Sequence, residues 1–401
     1  MKEGWTYKKF KDICYSISDG DWIEKKDQSN SGIRLIQTGN IGVGVFIPKN
    51  DSQKFISEET FKRLRCTEIF EGDILISRLP NPLGRSCLLP KLGTKCITAV
   101  DCSILKIKDD IVSPQFFVYY TQSQGYFSKI NSESSGTTRA RITRKKLEET
   151  DIPIPSIQEQ QRIVSRLDSA FAHIDELKAN AEKQLCEARA LFQRALTKAM
   201  EPKEGWEERK IREISLIKGG KRVPQGYKLE TEKTDYPYIR VADFTDEGTI
   251  DLSDIHYINN SVYQQIKNYT ITDKDIYISI AGTIGKSGII PSCLNGANLT
   301  ENACKLVLIG GIEQRYVYWF TKSDEFKGQI SLATRQTSQP KLALTRLAEV
   351  CISLPSLSEQ QRIVSRLDSL SAHVRELEEV LQKTIAECDA LKQALLRKVF
   401  E

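Results

Sequence analysis

Apolar residues recur at helical spacing along two long stretches of the chain. In the first stretch the apolar positions are Val164, Leu167, Phe171, Ile174, Ala181, Leu185, Ala188, Phe192, Ala195 and Ala199, interrupted by Lys178. In the second stretch they are Val364, Leu367, Val374, Leu381, Ile385, Cys388, Leu395 and Val399, interrupted by Ser371, Glu378 and Lys392. A narrow apolar seam at this spacing, sustained for about six heptads, is typical of a coiled coil.

The two predicted helices begin with the same letters. EQQRIVSRLD occupies Glu159–Asp168 and recurs unchanged at Glu359–Asp368. Ser156 and Ser356 stand where they can cap the helices, each followed by a glutamate that can complete a capping box. A repeat of this length indicates a tandem duplication.

We expect the two helices to pair with each other. Residues 203–354 join the end of the first helix to the start of the second, and only an antiparallel pair brings these ends together. KEGW at Lys2–Trp5 recurs at Lys203–Trp206, directly after the first helix, which predicts a pseudo-two-fold arrangement. Two unrelated amphipathic helices, or a zipper between two copies of the chain, are the alternatives.

The segments outside the helices read as short strands separated by turns. Ile33–Gly42, Gly72–Arg78 and Ala99–Ile107 have the length and apolar content of strands. The second half repeats the plan loosely at Tyr236–Phe244, Lys274–Ile280 and Asn302–Ile309. We therefore predict an α+β fold in which two β-rich mixed α/β domains are separated by two long helices. The predicted segments are residues 1–154, 155–202, 203–354 and 355–401.

Composition restricts the functional classes. The net charge is +5, mild for a protein that binds nucleic acid by itself, so we expect partners to share that work. Ten cysteines without a C-x-x-C pair indicate reduced thiols in a cytoplasmic protein. No apolar run is long enough to span a membrane, and the first residues do not resemble a signal peptide.

Basic loops follow the strands at matching places in both halves. Arg78 and Arg85 flank a Gly- and Pro-containing turn in the first half, and Lys286 stands after the corresponding turn in the second. A cation beside exposed backbone amides suits a phosphate group. A glycine turn with a solvated cation is the alternative interpretation.

A second pair of loops is rich in arginine, threonine and amides and lacks acids. Such side chains contact phosphates and base edges, although a solvated basic face would look the same. Together with the basic turn at Lys218–Gly226, these loops supply the remaining predicted DNA contacts: Thr137, Thr138, Arg139, Arg141, Lys221, Arg222, Arg335, Gln339 and Lys341.

Sequence motifs for catalysis are missing. The chain has no Asn/Asp-Pro-Pro-aromatic methyl-transfer motif, complete P-loop, zinc-ligand spacing or convincing nuclease cluster, and its three histidines do not suggest a general base. We therefore predict a chain that performs no chemistry and holds neither a metal nor a cofactor.

Two divergent segments alternating with two near-identical helices resemble the specificity subunit of type I restriction-modification enzymes. The strongest elements are IPIPSIQEQQRIV at Ile152–Val164 and ISLPSLSEQQRIV at Ile352–Val364, and GDILISR at Gly72–Arg78 looks like a strand common to the family. Lys274–Ile280, the second copy of that strand, departs from the glycine start. The resemblance covers the whole chain.

The resemblance implies a non-catalytic subunit that reads a split site on double-stranded DNA, one half per domain. It implies that the coiled coil fixes the spacing and docks two modification subunits, and that restriction subunits join them. S-adenosylmethionine, ATP and Mg would then be held by these partners.

Other functions stay open at this point. The chain could be the specificity subunit of a related restriction system in which one partner chain carries both cutting and methylation. Only the identity of the neighbouring polypeptides would distinguish the two systems. It could instead be a bivalent scaffold for proteins, which a weak salt dependence of DNA binding would indicate. An enzyme with an unrecognised site is a third possibility.

Overall fold

The chain forms two units, each built from one β-rich segment and parts of both long helices. The computed structural model describes residues 4–134, 140–334 and 341–401. The first unit comprises Met1–Glu182 and Gln382–Glu401, and the second comprises Lys183–Leu381. The boundary therefore crosses both helices, and the division into four segments stays a prediction.

Short strands and helices alternate through the first β-rich segment. Its strands are β1 (Thr6–Lys9), β2 (Cys14–Asp19), β3 (Gln28–Ser29), β4 (Ile33–Ile36), β5 (Lys54–Ile56), β6 (Glu68–Ile69), β7 (Ile74–Ser77), β8 (Ser86–Leu88), β9 (Cys96–Thr98), β10 (Cys102–Ile107) and β11 (Asp151–Ile154). Its helices are α1 (Phe10–Ile13), α2 (Glu58–Leu64), α3 (Pro114–Tyr120), α4 (Gln124–Ser132) and α5 (Arg144–Glu148), followed by the long helix α6 (Ile157–Met200).

The second segment follows the same order. Its strands are β12 (Glu207–Lys210), β13 (Ser215–Gly219), β14 (Pro237–Ile239), β15 (His256–Tyr257), β16 (Thr270–Ile271), β17 (Asp275–Ser279), β18 (Ser287–Gly288), β19 (Ala297–Leu299), β20 (Ala303–Leu308) and β21 (Cys351–Leu354). Its helices are α7 (Ile211–Ile214), α8 (Asn260–Ile266), α9 (Gln314–Lys322), α10 (Asp324–Thr334) and α11 (Leu344–Ala348), followed by the long helix α12 (Leu357–Phe400).

Both units build the same central sheet. The strand order is β2-β10-β7-β8 in the first unit and β13-β20-β17-β18 in the second, antiparallel throughout. A second sheet in each unit contains one parallel pair, β4 with β9 and β14 with β19. The predicted α+β fold with duplicated β-rich domains is confirmed.

Two of the predicted strands are shorter than expected. The stretch from Ile33 turns into a 3-10 helix at Thr38–Asn40, and the stretch from Tyr236 does so at Val241–Asp243. The side chains of Asn40 and Asp243 accept hydrogen bonds from the backbone amides three residues earlier, at 2.9 and 2.6 Å. This local bond offers the backbone an alternative to the sheet, and the strand ends there.

The long helices begin where the serine caps predict. The Ser156 hydroxyl accepts from the Glu159 amide at 3.3 Å, and Ser356 repeats the bond with Glu359 at 3.4 Å. The Glu159 carboxylate bonds the Arg162 guanidinium at 2.8 Å. An ion pair one turn along the helix thus takes the place of the reciprocal half of the capping box.

The repeated decapeptide joins each long helix to its β-rich segment. Gln160 is fully buried, bonds the carbonyls of Ile111 and Pro155 at 3.0 Å, and accepts from the Ser113 amide at 2.8 Å. Gln360 makes the corresponding bonds to Pro355 and Glu313. These buried bonds explain why both copies carry glutamine at this position.

The two long helices pack as an antiparallel coiled coil. Leu167, Ile174, Ala181 and Ala188 are buried at intervals of seven residues, as a coiled-coil seam requires. Ion pairs connect the helices: Asp175–Lys392 and Lys178–Asp389 in the first unit, and Arg189–Glu378 in the second. Residue numbers rise on one helix as they fall on the other, so three of the polar interruptions, Lys178, Glu378 and Lys392, are partners in these pairs.

The end of helix α12 completes the core of the first unit. Leu396 is 1% exposed within that core, and the Phe400 ring lies edge-on to Phe116 and Tyr120 at centroid distances of 5.4 and 5.6 Å. The Glu401 carboxylate accepts from the Gly125 amide at 2.9 Å. The last residues of the chain therefore belong structurally to its first domain.

The end of helix α6 has the same role in the second unit. Leu196 is 1% exposed and Met200 is buried beside it in that unit's core. Phe192 contacts the Trp319 ring edge-on at 5.5 Å. Each β-rich segment is thus closed by the carboxyl end of one long helix.

Within the described ranges, no helix is both long and apolar enough to cross a membrane. All ten cysteines are free thiols, and burial raises the pKa of Cys14, Cys87, Cys102 and Cys304 to about 12. These four thiols pack as small core residues.

Candidate nucleic-acid interface

Arg85 lies inside the first unit. Its side chain donates four hydrogen bonds to backbone carbonyls, those of Thr38, Ile41, Leu79 and Pro82, at 2.6–3.0 Å. The residue is 8% exposed, and burial lowers the pKa of its guanidinium. Arg85 therefore holds the turn together and is not available to a phosphate, which corrects our expectation for this position.

Arg78 is also buried, at 5% exposure. Its guanidinium donates to the Val100 carbonyl and pairs with Asp19 at 3.3 Å. Burial lowers the pKa of Arg78, opposed by the charge of Asp19. Its Nε atom is buried without a hydrogen-bond partner in the described part of the chain. This arginine likewise serves the fold and cannot reach DNA in this conformation, against our expectation.

Among the predicted contacts of the first unit that lie in the described part of the chain, Arg141 is the one that is partly exposed to solvent. Its guanidinium pairs with Asp101 at 2.9 Å, and its side chain is 43% exposed. It follows directly after the loop that contains Thr137, Thr138 and Arg139, which lie outside the described residues. Arg141 itself lies close to buried Arg78.

In the second unit, Lys286 takes the place of Arg85. Its carbonyl accepts from the Ser279 amide at 2.8 Å, as that of Arg85 does from Ser77 at 2.9 Å. The Lys286 ammonium pairs with Asp246 at 2.9 Å, and the Asp246 side chain is 93% exposed. The lysine is held at the surface by one carboxylate, so it could exchange that partner for a phosphate.

Lys322 contacts Asp246 as well, although we did not predict this lysine from the sequence. Its ammonium donates to the Asp246 carbonyl at 3.4 Å and lies over the Tyr318 ring at 5.5 Å. Burial lowers its pKa to about 8. No sequence signal marks it, because its burial depends on packing between helix α9 and the loop at Asp246.

Lys221 and Lys341 line one groove of the second unit. The groove encloses about 550 Å³ and is also bordered by Gly219, Gly220, Ile280, Glu301, Leu342, Ala343 and Leu344. Lys341 forms a β-bridge with Ala281 directly after the loop that contains Arg335 and Gln339, both outside the described residues. Two predicted cations that are far apart in sequence therefore line one groove.

Arg222 pairs with Glu301, one of the residues that border this groove. Its Nε donates to the Glu301 carboxylate at 2.6 Å, and the arginine side chain is 78% exposed. The Glu301 carboxylate also accepts from the Thr300 hydroxyl at 3.0 Å. Sequence reasoning missed Glu301, although comparison of the halves offered a signal: at the equivalent position the first unit has Val100.

Comparisons with known proteins show the family of the chain. A family model for the type I restriction modification DNA specificity domain matches residues 2–187 and again residues 203–387. The EcoBI specificity subunit from Escherichia coli is 25% identical over 329 residues, covering 74% of this chain and 67% of the relative. The EcoKI specificity subunit from Escherichia coli strain K12 is 24% identical over 443 residues, covering 100% of this chain and 89% of the relative.

Solved structures share the fold. A chain reported in work on assembly and conformational transition of the type I R-M system aligns with a TM-score of 0.80 at 19% identity, covering 100% of this chain and 98% of its own length. The HsdS subunit from Thermoanaerobacter tengcongensis aligns with a TM-score of 0.56 at 19% identity, over 100% and 97% of the two chains. The likeness extends over both units and both long helices.

Proposed function

Because this chain belongs to the type I restriction-modification DNA specificity family, we propose that it is the DNA sequence-specificity subunit of a type I restriction-modification complex. Each β-rich domain binds one half of a bipartite DNA site. The observation that carries the proposal is the match of two copies of the specificity domain, one to residues 2–187 and the other to residues 203–387.

The two units share the same strand order but differ in their loops, which supports the assignment of one half-site to each domain. The central sheets of the two units have the same strand order, whereas the loops carry different charges. Recognition residues are commonly placed on loops that a rigid scaffold positions. Two surfaces of different charge on one frame suit two different half-sites.

The proposed contacts follow from exposure and charge. In the second unit we propose Lys221, Arg222, Lys286 and Lys341, together with Arg335 and Gln339 of the adjoining loop. In the first unit we propose Arg141 with Thr137, Thr138 and Arg139. Arg78 and Arg85 instead support the fold of this unit.

The long helices are proposed to set the spacing of the half-sites and to dock the partners. Each helix has 44 residues and would be roughly 66 Å long at 1.5 Å per residue. Ion pairs made by Lys178, Arg189 and Lys392 fix the register of the two helices. An insertion in one helix alone would therefore displace every ion pair beyond the insertion. A helix pair held in fixed register is suited to act as a spacer.

The partners are proposed to supply the chemistry. Two modification subunits would hold S-adenosylmethionine and methylate adenine, and restriction subunits would use ATP and Mg to cleave DNA. This chain would be non-catalytic and would work in the cytoplasm. Its mild net charge of +5 fits a subunit that shares the DNA with such partners.

Methylome sequencing tests the proposal. The strain is sequenced with and without the gene, with the partner subunits present in both, and the deletion is complemented by the intact gene. We expect a split adenine-methylated motif that disappears in the deletion strain and returns on complementation. An unchanged methylome, combined with failure of the tagged chain to co-purify with a methyltransferase, would contradict the proposal.

A further inference from the structure

A carboxylate that borders the second unit's groove fixes an exposed arginine. The Arg222 side chain is 78% exposed, yet its Nε is held by Glu301 at 2.6 Å. An exposed arginine in a loop normally samples many rotamers, and ordering it costs conformational entropy. An arginine held in place before a ligand arrives avoids part of that cost on binding.

The backbone on both sides of this pair is anchored. The Gly220 amide donates to the Ala303 carbonyl at 2.9 Å, and the Lys221 amide donates to the Leu299 carbonyl at 2.8 Å. A Cβ atom on Gly220 would lie 2.1 Å from the Thr300 carbonyl oxygen, so only glycine permits this close approach. Arg222 therefore leaves the sheet from a fixed point next to Glu301.

Glu301 is itself held. Its other carboxylate oxygen accepts from the Thr300 hydroxyl at 3.0 Å, and the Thr300 residue is only 5% exposed. The Glu301 side chain is 25% exposed, whereas that of Arg222 is 78% exposed. The carboxylate thus lies on the protein side of the pair, and the guanidinium extends beyond it into solvent.

The bond to Nε determines which edge of the guanidinium is presented. Among the described residues, no acceptor binds the two terminal Nη groups of Arg222, so these remain available for a ligand. Two terminal N–H groups in one plane match the O6 and N7 acceptors of guanine in the major groove. Lys221 and Lys341 line the adjacent groove and provide positive charge for the phosphates on either side.

We infer that Arg222 reads a guanine in the half-site bound by the second unit, and that Glu301 is the positioning residue that orients the guanidinium for this contact. The inference rests on the proposed function and adds to it one base and one residue pair. The first unit has no such pair, because Trp22 and Val100 occupy the equivalent positions.

The test uses the complete complex with its methyltransferase partners. Binding is measured on duplexes that carry the motif methylated by the wild-type complex, with each base pair of the two half-sites changed in turn. We expect Arg222→Ala to lose discrimination at one G·C pair of the second half-site, by about 5- to 150-fold. Arg222→Lys keeps the charge but lacks the planar fork, so it should lose the same discrimination.

Variants of Glu301 separate positioning from a structural role. Glu301→Ala should reduce discrimination at the same G·C pair, and Glu301→Gln, which keeps an acceptor for Nε, should reduce it less. The double variant of Arg222→Ala with Glu301→Ala should discriminate no worse than Arg222→Ala alone, since the carboxylate acts through the arginine. Recognition of the first half-site should be unchanged in every case.

Lys221→Ala is the matched control. It should weaken binding to all duplexes alike and reduce the salt dependence by about one phosphate contact, without a base preference. The inference is overturned if Glu301 variants leave discrimination at the Arg222-dependent pair intact, if they weaken all positions equally, or if that pair is A·T. A wild-type complex with no split motif would instead overturn the proposed function.

Discussion

The two units place different side chains on one backbone frame. The Asp21 amide donates to the Thr98 carbonyl at 2.8 Å, and the Lys221 amide donates to the Leu299 carbonyl at the same distance. The next residue is Trp22 in the first unit, with its side chain 69% exposed, and Arg222 in the second. One position of the frame thus offers an aromatic surface in one unit and a guanidinium in the other.

The centre of the frame shows the same contrast. The Arg78 carbonyl accepts from the Ile142 amide at 3.3 Å, and the Ile280 carbonyl accepts from the Leu342 amide at 2.8 Å. Arg78 is a buried cation paired with Asp19, whereas Ile280 is an ordinary core residue. Because backbone bonds define the frame, its side chains could diverge without loss of the fold.

The difference in charge explains how the two units can recognise different DNA sequences. In the first unit both predicted arginines of the turn, Arg78 and Arg85, are used internally. In the second unit Lys221, Lys286 and Lys341 lie at or near the surface. We therefore expect the second unit to depend more on phosphate contacts and the first unit on its loop at residues 134–141.

The largest expected effect concerns the helix ends that close each core. Leu396→Ala should destabilise the first unit and Leu196→Ala the second, each by about 2–5 kcal/mol, because both leucines are 1% exposed and truncation leaves a cavity. Hydrogen exchange followed by mass spectrometry reports the two units separately. Equal loss of protection in both units from either variant would mean that they unfold as one.

A smaller effect should distinguish the matched cations of the turn. Arg85→Met leaves four backbone carbonyls without their donor, two of them in buried bonds, and should lower the free energy of unfolding by about 3 kcal/mol. Lys286→Met breaks only a surface ion pair and should cost less than about 1 kcal/mol. Urea denaturation of both variants checks this, and similar costs would refute the contrast.

The smallest effect is a pH dependence confined to the second unit. Burial lowers the pKa of Lys322 to about 8, so the unfolded chain binds a proton that the folded chain releases between about pH 8 and 10.5. Stability from this residue therefore rises with pH in that window, and its burial is unfavourable at pH 7. Lys322→Gln introduces the residue found at Gln122 in the first unit.

This variant should raise the free energy of unfolding at pH 7 by about 1 kcal/mol and remove that rise. The reverse change, Gln122→Lys, is the matched control and should not stabilise the first unit. Unfolding curves measured at pH 7, 8, 9 and 10 compare the variants with the parent chain, so that shared tyrosine titrations cancel. An unaltered pH profile in Lys322→Gln would show that the lysine is fully solvated.

Local signals were sufficient to predict the long helices and the duplicated plan. The decapeptide at Glu159–Asp168, its serine cap and the apolar seam are short-range features that act in the same way wherever they occur. In the sequence, Lys178 only interrupts the apolar seam. Its partner Asp389 is identified once the register of the two helices is known.

The contact residues were harder to predict for a physical reason. Arginine in a glycine-containing loop is usually solvated, and nothing near Arg85 in sequence indicates that carbonyls from Thr38 and Ile41 converge on it. Glu301 likewise gains its role from the position of Arg222, which lies on another strand connection. Contacts between residues that are far apart in sequence cannot be predicted from the pattern of neighbouring residues.

The closure of the first core by Leu396 and Phe400 has a consequence for synthesis. The ribosome completes the first β-rich segment about 240 residues before it makes the residues that close that segment's core. At about 5–20 residues per second this delay lasts roughly 12–50 s. During this interval the nascent domain exposes the apolar surface around Phe116 and Tyr120, whereas the second domain emerges after the end of helix α6 that it requires. Because of this order of translation, we expect the amino-terminal domain to depend on chaperones more than the second domain does.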